Sequence, residues 1–264
     1  MRTQPPPSAY LDRPDGTRLA YRVTCGQGPT VVFLGGFTSD MSGTKAVALE
    51  AHCRSRGRAY VRFDYFGHGL SAGRFADATI GRWIDDVLAV LDEVVEGPAV
   101  LVGSSLGGWL MVRAALARPE RVAGLVGVAA APDFTSELIE LSLSEGARSR
   151  LREEGVLLLP NPYGQEPTPV SAAFLEEARR HRVLGSPIPL RCPVRLLHGL
   201  ADREVPWSLA LRLVKALEGS DATLTLVKGG DHRLSAPEDL TRLRAAVDEV
   251  CGAGTPRPQE GGIG

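Results

Sequence analysis

The stretch Ala99-Val100-Leu101-Val102-Gly103-Ser104-Ser105-Leu106-Gly107-Gly108-Trp109 decides how the rest of the chain is read. Its four leading apolar residues predict a buried strand, and residues 106–117, stopped by Pro119, predict a helix. Between them lies G-x-S-x-G, with Ser105 at its centre. A strand that turns directly into a helix holds the central serine at a strained backbone angle, and the crowding on either side admits only glycine. The start of a helix also aims backbone N–H groups at one point, where charge developing on a carbonyl oxygen would be held. Ser105 is the candidate nucleophile, and Ser104 is read as a small residue packing under the turn.

Outward from this turn, residues 30–34 and 59–64 predict strands and 44–56 a helix. Ile80, Trp83, Ile84, Val87, Leu88, Leu91, Val94 and Val95 recur at spacings of three and four, which predicts a helix with one buried face. Further strands at 122–129, 194–198 and 223–227 alternate with helices near 209–217 and 237–250. Uniformly apolar strands alternating with amphipathic helices predict an α/β fold, a mostly parallel sheet with helices on both faces. A hairpin through Tyr10-Leu11, the turn Pro14-Asp15-Gly16 and residues 17–24 makes the sheet mixed at one edge. The alternation breaks over residues 132–190, which hold charged helical stretches, Leu157-Leu158-Leu159-Pro160 and a proline-rich run at 161–169. The expected organisation is a core of residues 1–131 and 191–251, a cap insertion at 132–190, and a tail at 252–264 too poor in apolar residues to fold.

A serine hydroxyl needs a base, because it holds almost no alkoxide at neutral pH. His52 and His181 fall on predicted helices and read as surface residues; His198 reads as structural at a strand exit, and His68 as packing. His232, in Lys228-Gly229-Gly230-Asp231-His232, lies in the loop between the last strand and the last helix. Loops at the strand C-termini share the edge where sites form in such sheets, so His232 is the candidate base. Its acid partner is expected at Asp202, after the penultimate strand, with Asp133 after the preceding strand as the rival position. Asp231 is a poor alternative, since a carboxylate seldom aligns on its own neighbour's ring. Gly35-Gly36-Phe37 follows an earlier strand, and the N–H of Phe37, with that of Leu106, is the expected pair of oxyanion donors.

Composition excludes several other classes. Among 264 residues, 30 Lys+Arg balance 31 Asp+Glu, so neither nucleic acid nor an anionic membrane has an electrostatic claim on the chain. No apolar run is long enough to span a bilayer, so no integral membrane segment is expected. HExxH, zinc-spaced Cys/His clusters and GxGxxG are missing, and Gly43-Thr44-Lys45 lacks the spacing of a phosphate loop, so no metal or other cofactor is expected. Cys25, Cys53, Cys192 and Cys251 lie far apart, and the N-terminus lacks the apolar region of a secretory signal. Reduced thiols in a cytoplasmic protein are the expectation.

Several stretches carry a closer resemblance. Ser42-Gly43-Thr44-Lys45-Ala46, Arg62-Phe63-Asp64-Tyr65-Phe66-Gly67, Gly103 to Trp109, Ser186-Pro187-Ile188-Pro189, Leu196-Leu197-His198-Gly199 with Val205-Pro206-Trp207, and Asp231-His232-Arg233 occur in this order. They resemble the serine α/β-hydrolases, and within them the group of hydrolase-domain enzymes that includes mitochondrial palmitoyl-protein thioesterases and acyl-glucuronide esterases. The resemblance implies the α/β-hydrolase fold, Ser105 as nucleophile, Asp202 as acid and His232 as base. No transit peptide is evident at the N-terminus, which suggests a bacterial relative. The expected function is hydrolysis of a small-molecule acyl ester or thioester, or of an acylated protein, through an acyl-enzyme. The alternatives are a cofactor-free perhydrolase or acyltransferase using the same residues, and a non-catalytic receptor of the same fold.

Overall fold

A computed structural model of the chain describes residues 9–159 and 167–253. Within them lie strands β1 (Ala9–Asp12), β2 (Arg18–Thr24), β3 (Gln27–Leu34), β4 (Arg58–Phe63), β5 (Ala99–Ser104), β6 (Val122–Val128), β7 (Val156–Leu159), β8 (Thr168–Ser171), β9 (Val194–Gly199) and β10 (Ala222–Val227). The α-helices are α1 (Thr44–Ser55), α2 (Ile80–Glu93), α3 (Leu106–Ala117), α4 (Glu145–Glu154), α5 (Ala172–Arg179), α6 (Trp207–Ala216) and α7 (Pro237–Ala253). Eight strands form one sheet in the order β1-β2-β4-β3-β5-β6-β9-β10. The β1–β2 and β2–β4 pairs are antiparallel and all others parallel, so the sheet is mixed only at the hairpin edge.

Successive residues of the central strands enter two different apolar clusters. Val32, Leu34, Leu101 and Leu125 pack on one face with Trp83 of α2 and Trp109 of α3. Val31, Phe33, Val100, Val102 and Val126 pack on the other with Leu49 of α1 and Val247 of α7. Alternation of side chains across a pleated strand makes this two-sided burial possible, and it explains why these strands are apolar throughout. The chain leaves β3 to form β4 on one side and then returns to form β5 on the other. The crevice of a doubly wound sheet opens at such a reversal, at the strand C-termini.

Residues 132–190 form, in their described part, a π-helical stretch at Thr135–Glu140, α4, the antiparallel β7–β8 pair and α5. The hairpin was not expected from sequence, and the proline-rich run lies partly at residues 160–166, outside the described residues. Leu157 points inward at 7% exposure while Leu158 points out at 65%, so the leucine run does not present one face. Phe134, Val170, Phe174 and Leu175 join the same apolar cluster as Trp83 and Trp109, so the segment shares the body's core. Glu177 of α5 clamps it further: its carboxylate accepts the N–H groups of Ile80 and Gly81, both at 3.0 Å. Those N–H groups open α2 and have no acceptor within their own helix. At the other end of the chain α7 runs to Ala253, so Gly252 and Ala253 are helical and not part of a tail; residues 254–264 lie outside the described residues.

Candidate active site

The turn after β5 is built as its glycines require. Ser105 has φ 53° and ψ −114°, a left-handed conformation that side chains rarely adopt. A Cβ on Gly103 would stand 2.3 Å from the Gly107 carbonyl oxygen, and one on Gly107 would stand 2.2 Å from that of Leu34. Both contacts are with backbone, so larger residues there would force the turn open. Leu106 follows as the first residue of α3, and its N–H therefore has no acceptor within the helix.

The loop after β3 lies directly against this turn. A Cβ on Gly36 would come within 3.6 Å of Ser105 Cβ, so the backbone beside Phe37 passes close to the serine. The Phe37 carbonyl oxygen lies 2.7 Å from His68 Nε2, and the His68 ring packs edge-on against Tyr65, Phe75 and Trp83. His68 thus adds a hydrogen bond to the packing expected of it. The buried Asp64 joins the same two loops, accepting Met41 N–H at 2.7 Å and Leu70 N–H at 2.9 Å. The Phe37 ring in turn packs against Phe75, Phe134 and Phe174, the last two from the stretch 132–190.

Asp202 and His232 meet Ser105 across the sheet edge. His232 Nδ1 is 2.8 Å from Asp202 Oδ2, and His232 Nε2 is 3.1 Å from Ser105 Oγ. An ionised carboxylate only accepts, so the ring proton belongs on Nδ1 and Nε2 is left to accept from the serine hydroxyl. The two loops are held together by the Ala201 N–H, which donates to the Gly230 carbonyl at 2.9 Å. The Asp202 side chain is fully buried, and its Oδ1 accepts the N–H groups of Glu204 and Val205, both at 2.9 Å. Burial alone would raise its carboxyl, but hydrogen bonds from His198, His232 and the Val205 N–H outweigh it and hold the group well below the usual carboxylate range.

The other candidates have different occupations. Asp133 is buried and has φ 55°, and its carboxylate accepts the N–H groups of Val183 (2.8 Å) and Leu184 (2.9 Å), which follow α5. Burial pushes its carboxyl up against the pull of those donors. Asp231 accepts from the N–H groups of Arg233 and Leu234, both at 3.0 Å, which shapes the loop carrying His232. His52 and His181 are not free surface residues: they pair with Asp248 at 3.0 Å and with Glu177 at 2.5 Å. His198 is fully buried beside Asp202, a proximity that its position in the sequence gave no means of weighing. Cys53 and Cys251 are buried thiols, pushed up to about 12 and about 11 by desolvation, and so are unreactive near neutrality.

Among the described residues no helix is long and apolar enough to cross a membrane. The Bos taurus protein named palmitoyl-protein thioesterase ABHD10, mitochondrial, is 41% identical over 244 residues, covering 92% of this chain and 79% of its own length. The Homo sapiens protein of the same name is 41% identical over 248 residues, with coverage of 92% and 79%. Among solved structures, mouse alpha/beta hydrolase domain-containing protein 10 superposes with a TM-score of 0.88 at 40% identity, covering 95% of this chain and all of the mouse chain. A putative hydrolase from Agrobacterium vitis superposes with a TM-score of 0.89 at 41% identity, covering 94% of this chain and all of its own.

The cytoplasmic expectation is corrected by these names, since the mammalian relatives are mitochondrial proteins. Import sequences have no apolar core, so the missing secretory signal said nothing about that destination. Residues 31–254 match the alpha/beta hydrolase family, and with the relatives above this shows that the chain belongs to that family.

Proposed function

We propose that the chain hydrolyses acyl esters or thioesters through an acyl-enzyme on Ser105. Thioester hydrolysis is the activity in the names of its relatives, palmitoyl-protein thioesterases. The observation that carries the mechanism is the continuous hydrogen-bonded line from Ser105 Oγ to His232 (3.1 Å) and from His232 to Asp202 (2.8 Å). His232 Nε2 takes the hydroxyl proton as Ser105 Oγ attacks the carbonyl carbon. The N–H groups of Phe37 and Leu106 hold the resulting oxyanion, and Asp202 stabilises the imidazolium.

Collapse of this intermediate breaks the bond to the alcohol or thiol, which leaves with the proton from His232. Water then gives a proton to His232 and attacks the acyl-serine, and the acid is released as Ser105 regains its hydrogen. The substrates of this reading are small acyl esters or thioesters and acylated proteins. The insertion at 132–190 acts as a cap whose aromatic residues, Phe134 and Phe174, pack on Phe37 beside the reacting serine.

A fluorophosphonate probe and a short p-nitrophenyl ester test the assignment together. Ser105→Ala is expected to abolish labelling and to lower turnover by several orders of magnitude, whereas Ser104→Ala leaves both largely intact. The reverse pattern would move the nucleophile. A panel of esters and thioesters of graded chain length then ranks the leaving group and the acyl chain.

A further inference from the structure

Within the serine-hydrolase reading above, a buried titratable group beside the acid has no assigned task. His198 is the penultimate residue of β9, four residues before Asp202, and its side chain is fully buried. Its Nε2 lies 3.0 Å from the Val205 carbonyl oxygen and 3.2 Å from Asp202 Oδ2. Both neighbours are acceptors, so Nε2 carries the ring proton and shares it between them. His198 Nδ1 is buried with no hydrogen-bond partner.

That unpartnered nitrogen argues against a packing role. A buried acceptor without a donor is destabilising, and a phenyl ring would fill the same space without that penalty. The compensating gain lies at Nε2. Asp202 has four contacts on its two oxygens: the N–H groups of Glu204 and Val205 on Oδ1, and the two imidazoles on Oδ2. Val205 is also held at both ends, its N–H by Asp202 and its carbonyl by His198. The turn that presents the acid is therefore gripped from beneath by one histidine at the end of β9.

We propose that His198 is a positioning residue for Asp202: its Nε2–H holds the turn from Asp202 to Val205 against β9 and fixes the carboxylate's rotation, so that Oδ2 faces His232. It touches no reacting atom and acts only through the carboxylate.

The test is a double-mutant cycle on the full chain, assayed with a p-nitrophenyl ester after thermal melts show that each variant is folded. His198→Phe should lower kcat about ten-fold with KM near the wild-type value, the range typical of supporting hydrogen-bond partners in a site. His198→Gln, whose amide N–H reaches toward the same acceptors, should recover most of that loss. In an Asp202→Asn background, His198→Phe should cause little further loss, because the group it positions no longer serves as the acid. His198→Leu supplies the same comparison if the phenylalanine variant does not fold.

Equal damage from the apolar and glutamine variants would overturn the proposal. So would an undiminished ten-fold loss in the Asp202→Asn background, or a folded apolar variant with normal kcat. Normal kcat in Asp202→Asn alone would instead overturn the assignment of the acid, and this inference with it.

Discussion

Two buried aspartates stand just beyond neighbouring strands of this sheet, Asp133 after β6 and Asp202 after β9. Both accept backbone N–H groups, yet the distribution over their oxygens differs. Asp133 has Val183 N–H between its two oxygens, at 2.8 and 3.1 Å, and Leu184 N–H on the second. Asp202 takes both of its backbone donors on Oδ1 and leaves Oδ2 to imidazoles. The first arrangement uses the carboxylate to tie the chain after β6 to the chain after α5. The second keeps one oxygen available for a histidine. The charge follows the same division, since burial pushes Asp133 up while its hydrogen bonds hold Asp202 down. Position at a strand exit thus makes a carboxylate eligible as the acid, and the placement of its backbone donors decides whether it can serve.

The largest effect that tests this contrast is on turnover. Asp202→Asn should lower kcat by about three to four orders of magnitude, because the amide favours the wrong tautomer of His232. Asp133→Asn should lower it less than about ten-fold on the same small ester. Comparable losses in the two variants would erase the distinction.

Stability should register the loss of the Asp133 carboxylate as well. Asp133→Asn leaves a buried backbone N–H without a full partner and should cost about 1–3 kcal/mol in a denaturant melt. A melt unchanged from wild type would show that the carboxylate does not tie Val183 and Leu184 to the exit of β6.

A smaller effect lies in the pH dependence of stability, and its sign differs between the two sites. Asp202 has a folded value below its ordinary value of 3.8, so its contribution is present above about pH 4 and is lost as pH falls further. Asp133 has a folded value above 3.8, so the folded chain keeps a proton that the unfolded chain has released. Its contribution is greatest in acid and declines as pH rises from about 4 through the folded value. Melts of wild type and the two asparagine variants across this range should therefore give gaps that change in opposite directions. Parallel changes would contradict the assigned environments.

Much of the candidate site was legible because its residues are constrained locally. Gly103 and Gly107 announce the turn at Ser105, since a Cβ at either would strike backbone. Asp202 and His232 follow the last two strands of a sheet whose apolar runs are unmistakable in sequence. The tasks of Asp133 and His198 were not legible for a different reason. The first depends on N–H groups about fifty residues away in sequence, and the second on a buried contact that also involves a carbonyl. Neither leaves a pattern along the chain. The hairpin of β7 and β8 was hidden similarly, because its two short strands flank a proline-rich run and share the body's core. His68 looked like packing because its hydrogen bond to Phe37 spans two loops.

The most direct test of the central claim is to trap the acyl group. Asp202→Asn, mixed with a palmitoyl thioester and quenched in acid, should gain the mass of one acyl chain, and fragmentation should locate it on the peptide containing Ser105. Ser105→Ala should gain none. An acyl group on another residue, or rapid turnover by Ser105→Ala, would contradict the account.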